Sequence, residues 1–163
     1  MTITIGDTFP SITLKRLGDD GLEEFNTADA LAGRKVVLFA VPGAFTPSCH
    51  QKHMPGYLAN LDAFKAQGVD AVICLAVNDP FVAKHWSEVS GATGKIDVWP
   101  DGNATLVTAL GLSFDGSGAG LATRAKRFSM ILENAVVTSL DVEDVPSQVE
   151  LSSADTCLVK LKA

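Results

Sequence analysis

KVVLFAVPGAFTPSCHQKHMPGYLANLDAFKAQG, residues 35–68, is the stretch on which the fold turns. Its first seven residues, KVVLFAV, form a continuously apolar, β-branched run of the kind found in a strand buried on both faces. Pro42 ends that run. From Ser48 to about Gln67, Met54, Tyr57, Leu58, Leu61 and Phe64 recur at helical spacing, Pro55 predicts a kink and Gly68 supplies a stop. A buried strand therefore runs through a tight turn into a long helix.

Working outward, the grammar repeats. VDAVICLAV (69–77) reads as a second buried strand, and Asn78, Asp79 and Pro80 open a helix through Trp86 to about Val89. A short strand at Ile96–Trp99 precedes a helix at Ala104–Leu110. RFSMILE (127–133) and AVVTSLDV (135–142) read as strands flanking a tight turn at Asn134, and a last helix starts at a serine cap, Ser152 or Ser153. Upstream, extended pieces are expected at Ile3–Ile5 and Ile12–Lys15, with a short helix at Asn26–Leu31. The glycine cluster GLSFDGSGAG (111–120) reads as a surface loop. Parallel strands first and an antiparallel pair last imply an α/β protein: a mixed central sheet with helices on both faces and an N-terminal β extension. That is the outline of a thioredoxin-like fold. No repeat, low-complexity segment or long linker divides the chain, so residues 1–163 are expected to form a single domain.

Thirteen basic and nineteen acidic residues leave a net charge of −6, which disfavours attraction to phosphate backbones and anionic lipid; no nucleic acid partner is expected. The start, MTITIGDTFP, has no basic stretch leading into an apolar helix, and no run reaches the ~18 apolar residues of a membrane span. The expectation is a cytoplasmic protein with no membrane association. Cys49, Cys74 and Cys157 are odd in number, widely spaced and lack a CxxC pair, which argues against a disulfide framework and a zinc knuckle.

Cys49 is the cysteine with a special address. It falls in the first turn of the long helix, where free backbone N–H groups and the helix dipole favour an anion, and thiolate is the reactive form of cysteine. Location alone leaves a small buried hydrophobe equally open. The neighbours Pro42, Thr46 and Cys49 spell PxxxTxxC, and the string VPGAFTPSCHQKHMPGY resembles the peroxiredoxins, most closely their type II or type V branch. VNDPFVAKHW (77–86), ALGLSFD (109–115) and TRAKRFSMILE (123–133) are similar to that branch in the same order, so the resemblance covers nearly the whole chain.

The resemblance implies a thiol-dependent peroxidase acting on hydrogen peroxide and organic hydroperoxides, with no metal, haem or other cofactor. Cys49 would be the peroxidatic thiolate and would pass through a sulfenic acid. Each matched residue suits a task in that reaction. Thr46 can hold the attacked oxygen, and Pro42, rigid and without an N–H, can roof the sulfur. An arginine from a distant strand, matched here by Arg127, brings a fixed charge and a planar fork. Arg124 is open between this role and a surface one, and Lys126 reads as a solvated charge.

Reduction of the sulfenic acid needs another thiol. Some type V members use a cysteine before the last helix, but aligning VELSSADTCLVKL (149–161) on that segment puts Leu151 there and Cys157 about two turns into the helix. Type II members from plants have a cysteine matching Cys74, whose apolar neighbours make burial in a strand its default. The expectation is one-cysteine turnover on an external thiol, glutathione with glutaredoxin or thioredoxin. The resemblance also implies a homodimer, with Phe45, Phe81 and Trp86 as candidate contacts.

Two other readings use the same cysteine. A redox sensor or chaperone would oxidise Cys49 without turnover, leaving Thr46 and Arg127 with no need for fast attack. A cysteine hydrolase would pair Cys49 with His53, four residues on and on the same helix face. It leaves Pro42, Thr46 and Arg127 without a task, and His53 is expected instead to pack or to bond backbone near the helix start. His50 is expected to be exposed.

Overall fold

Two separate cores lie on the opposite faces of one central sheet. The computed structural model describes residues 1–163. An antiparallel hairpin, β1 (Thr13–Gly18) and β2 (Gly21–Asn26), leads into α1 (Thr27–Leu31), whose cap Asn26 accepts from the Ala28 and Asp29 amides. Then comes β3 (Lys35–Val41). Val36, Leu38 and Ala40 enter the core shared with Phe9, Trp99 and Leu106, while Val37, Phe39 and Val41 enter the one shared with Cys49, Tyr57 and Trp86. Successive side chains of a strand point to opposite faces, so a strand covered on both sides stays apolar at every position.

The remaining elements complete the sheet and its covers. They are α2 (Met54–Ala59), α3 (Leu61–Ala66), β4 (Ala71–Ala76), α4 (Pro80–Val89), β5 (Asp97–Pro100) and α5 (Thr105–Leu110). After them run β6 (Ser113–Asp115), β7 (Thr123–Ala125), β8 (Phe128–Glu133), β9 (Val136–Val142) and α6 (Ala154–Lys162). The central sheet has the order β5-β4-β3-β8-β9, with β3, β4 and β5 parallel and β8 and β9 antiparallel additions. This is the thioredoxin-like mixed sheet expected from the sequence.

Several local readings need correction. The helix expected as one kinked rod is a π-helical segment, Cys49–His53, followed by α2 and α3 with a break at Asn60. Pro55 lacks the N–H that would continue the α-helical ladder, and the backbone before it widens, Met54 N–H reaching back to the Cys49 carbonyl. Residues 111–120 are not one loop: they contain β6, which pairs with β7, and a 3₁₀ turn at Ser117–Ala119. Ile3–Ile5 is not a strand; Ile3 N–H donates to Leu110 O (2.9 Å) and Gly6 N–H to Val137 O (2.8 Å). The strand β2 carries no apolar alternation that would mark it, its face being polar and its Leu22 exposed. The β8–β9 turn is carried by Asn134 and Ala135, both at positive φ as a type I′ turn requires. Ser153 is the cap of α6, which puts Cys157 one turn into that helix and not two.

Candidate active site

β3 delivers the chain to Pro42, and Pro47 and Ser48 begin the helix that carries Cys49. Cys49 is fully buried, at the start of the π-helical segment. Arg127 stands at the entry to β8, next to β3 in the sheet, so a residue 78 positions away reaches the sulfur. Its Nη2 donates to Cys49 Sγ at 3.0 Å. The same guanidinium donates from Nη1 to His53 Nδ1 (2.9 Å) and from Nε to the Pro146 carbonyl (2.8 Å). Three fixed contacts hold its plane. No carboxylate forms an ion pair with Arg127, so its charge is left facing the sulfur.

His53 is buried, and its tautomer follows from its neighbours. Arginine can only donate, so Nδ1 accepts; Nε2 lies 3.0 Å from the Ser152 carbonyl, which can only accept, so Nε2 carries the hydrogen. Burial, reinforced by the Arg127 charge, lowers the imidazole to about 3 from its ordinary 6.5. The ring is neutral with both nitrogens engaged. It is therefore no general base for Cys49, which removes the hydrolase reading. His53 does bond backbone, but at Ser152, 99 residues on, and not near the helix start.

Thr46 Oγ1 donates to the Gly43 carbonyl at 2.7 Å, leaving its lone pairs as acceptors. Pro42 is buried, and Arg124 Nη1 donates to its carbonyl at 3.3 Å while Arg124 Nε donates to Leu121 O at 2.7 Å. Arg124 thus ties the Pro42 turn to the β6–β7 hairpin and does not bond the sulfur, and Lys126 is exposed as expected. Pro42, Thr46 and Arg127 line a cleft of about 460 Å³, with Phe114, Leu121 and Pro146 among the other walls. Three of the four residues expected at the site line this cleft, and the fourth, the buried Cys49, is joined to it by the Arg127 contact.

His50 is half-buried and not exposed, because its Nδ1 accepts from Trp86 Nε1 at 3.1 Å. Trp86 itself is fully buried in the core and is unavailable as a dimer contact, whereas Phe45 and Phe81 are exposed. Cys74 and Cys157 are buried and unpaired. Burial, with the nearby Cys49 charge, pushes the Cys74 thiol well up; burial, with the Asp141 charge, pushes Cys157 up to about 12.

The chain is similar to known proteins in both sequence and fold. The family described as Redoxin matches residues 4–158. The chain belongs to the peroxiredoxins. This peroxiredoxin is 39% identical to peroxiredoxin-2C of Oryza sativa subsp. japonica over 160 residues, 98% of each chain. It is 44% identical over 149 residues to the chloroplastic peroxiredoxin-2E-2 of the same plant, covering 88% of this chain and 66% of that longer relative. Its fold is similar to that of reduced Prx3 from Vibrio vulnificus in complex with H₂O₂, with a TM-score of 0.92, 44% identity and coverage of 98% and 99% of the two chains. The peroxiredoxin is a thiol peroxidase.

Other residues at the site were not legible from the sequence. Tyr57 OH donates to the Ser152 carbonyl at 2.8 Å, and Ser48 Oγ donates to that of Ser147 at 2.9 Å. The connection from Glu143 to Ser153 supplies the carbonyls of Pro146, Ser147 and Ser152 to this peroxiredoxin's site. Backbone carbonyls carry no side-chain signature, and the segment has no periodicity to place it.

Proposed function

We propose that Cys49 is the peroxidatic residue and that it reduces hydrogen peroxide and small organic hydroperoxides. The observation that carries this reading is the Arg127 Nη2 contact to Cys49 Sγ at 3.0 Å, a fixed cation at the one cysteine that opens the helix beside the cleft. The thiolate attacks one peroxide oxygen, an S–O bond forms as the O–O bond breaks, and the departing alkoxide or hydroxide takes a proton from solvent to leave as alcohol or water. Cys49 becomes a sulfenic acid. Thr46, its hydrogen committed to Gly43 O, accepts from the peroxide O–H and aligns the O–O bond. Arg127 spreads its charge over the sulfur and the oxygen where charge develops, and the Pro42 turn shields the sulfur from water.

Two equivalents of an external thiol then return the sulfenic acid to thiol, releasing water and a disulfide. Glutathione with glutaredoxin, or thioredoxin, is the proposed source. The raised Cys74 and Cys157 thiols support one-cysteine turnover, since neither is readily ionised. Exposed Phe45 and Phe81 support a homodimer formed by the face near the site, and three unpaired cysteines suit a reducing compartment such as the cytoplasm. The test is hydrogen peroxide consumption with glutathione and glutaredoxin, compared with thioredoxin and its reductase. Turnover in one system and its loss in Cys49→Ser is expected; a chain inert in both, or a fully active Cys49→Ser, would refute the reading.

A further inference from the structure

The irregular segment after β9 is closed on itself by one side chain. Glu143 is buried, and its own N–H donates to the Arg127 carbonyl at 2.9 Å, fixing one end of the segment to the site. Its carboxylate grips the other end. Oε2 accepts from Glu150 N (2.9 Å), Ser152 N (2.9 Å) and Ser152 Oγ (2.6 Å), and Oε1 accepts from Leu151 N (3.0 Å). Burial pushes this carboxyl up, but the four donors, the Ser152 hydroxyl foremost, outweigh it and hold the group below the usual carboxylate range.

The gripped turn presents the Ser152 carbonyl, on which the His53 Nε2–H and the Tyr57 hydroxyl converge. That carbonyl and the Arg127 donor together keep the hydrogen on Nε2. If it turned away, only the Arg127 donor would hold that tautomer, and whatever Nδ1–H form gained population would aim a hydrogen at Arg127 Nη1, in place of the lone pair that accepts at 2.9 Å. The guanidinium would lose one of its three fixed contacts. We propose that Glu143 is a positioning residue for the peroxidase reaction: by clamping the 150–152 turn it supplies one of the two contacts that select the His53 tautomer holding Arg127 on the Cys49 sulfur. Glu143 touches neither sulfur nor peroxide. The inference rests on the reading of Cys49 and Arg127 as the reacting pair.

Glu143→Gln separates this role from general support of the fold. One amide oxygen can still accept the three donors now shared by Oε2, while the amide N–H₂ faces the Leu151 N–H, donor against donor, and the negative charge is gone. Two quantities are read on histidine-¹⁵N-labelled protein: the His53 tautomer from ring nitrogen shifts, assigned with His53→Gln, and the second-order rate with hydrogen peroxide. The wild type is expected in the Nε2–H form. Glu143→Gln is expected to mix the tautomers and to lower the rate about tenfold, less than the hundredfold that ~1 Å of misplacement can cost. Ser152→Ala, which removes one donor, should move both readouts the same way by less, and decides the matter if Glu143→Gln does not fold. An unchanged His53 tautomer, or a changed tautomer with an unchanged rate, would overturn the proposal. A wild-type chain inert to peroxide would instead refute the peroxidase reading, and the tautomer comparison would still decide whether Glu143 sets the His53 ring.

Discussion

Arg127 donates to Cys49 Sγ at 3.0 Å and to His53 Nδ1 at 2.9 Å through the two terminal nitrogens of one guanidinium. Both partners are neighbours on one helical segment, so the fork is matched to the local backbone. Arg127→Gln removes the cation and should lower the peroxide rate about 10²- to 10³-fold, as loss of a preorganised charge-stabilising donor does. Arg127→Lys should rescue little of it, because an ammonium cannot reach sulfur, imidazole and the Pro146 carbonyl from one point. Stopped-flow rates with hydrogen peroxide are the measurement, and a lysine variant at wild-type speed would show that charge alone suffices.

Arg124 lies near the same turn but binds carbonyls only, those of Pro42 and Leu121. Its alanine variant should lose less than about tenfold in rate, a loosening of the roof and not a loss of charge at the sulfur. Measured under the same conditions, equal losses for the two arginines would contradict this division of labour.

Thr46 offers a different test, because its hydrogen is already committed to Gly43. Thr46→Ser keeps both the bond to Gly43 and the free lone pairs, and should stay within a few-fold of wild type. Thr46→Val keeps the shape and loses the acceptor, and should fall about a hundredfold. Comparable rates for the two variants would remove the hydroxyl from the reaction.

The sheet and the cysteine were legible because both rest on local patterns. Continuous apolar runs marked β3 and β4, the Asp79–Pro80 pair marked α4, and PxxxTxxC marked the turn that carries Thr46 and Cys49. Arg127 came from the resemblance, since nothing in KRF distinguishes it from Lys126. The structure separates the two by burial. The site roles of Glu143, Tyr57 and Ser152 have no local signature, because they depend on a loop folding back across 90 or more positions onto a helix. The helix breaks at Asn60 and not at Pro55, because the π-helical segment accommodates the missing proline N–H.

His53 should make the fold sensitive to acid. In the unfolded chain it gains a proton near 6.5, and in the folded chain only near 3. Between those values the unfolded state holds one more proton, so stability is full above 6.5 and falls as the pH drops toward 3, by about 1.4 kcal/mol per pH unit where the difference is complete. His53→Gln removes this titration. Urea midpoints at pH 7 and pH 5 should therefore fall more for wild type than for the variant, and parallel losses would show that other groups dominate acid unfolding.

Neither remaining cysteine should be needed for turnover. Cys74 sits in β4, paired in register with Phe39 of β3 and Val98 of β5, and a disulfide to Cys49 needs Cα atoms about 5.5 Å apart, which a strand held on both edges cannot supply without local unfolding. Cys157 is packed within α6, with its thiol pushed up to about 12, so little thiolate is present to attack a sulfenic acid near neutral pH. Cys74→Ala and Cys157→Ala each remove a small buried group and should cost about 1–2 kcal/mol of stability. Peroxide consumption driven by an external thiol should continue in both at rates within a few-fold of wild type. A variant that is oxidised once by peroxide and then stalls would identify that cysteine as the partner of Cys49 and end the one-cysteine reading.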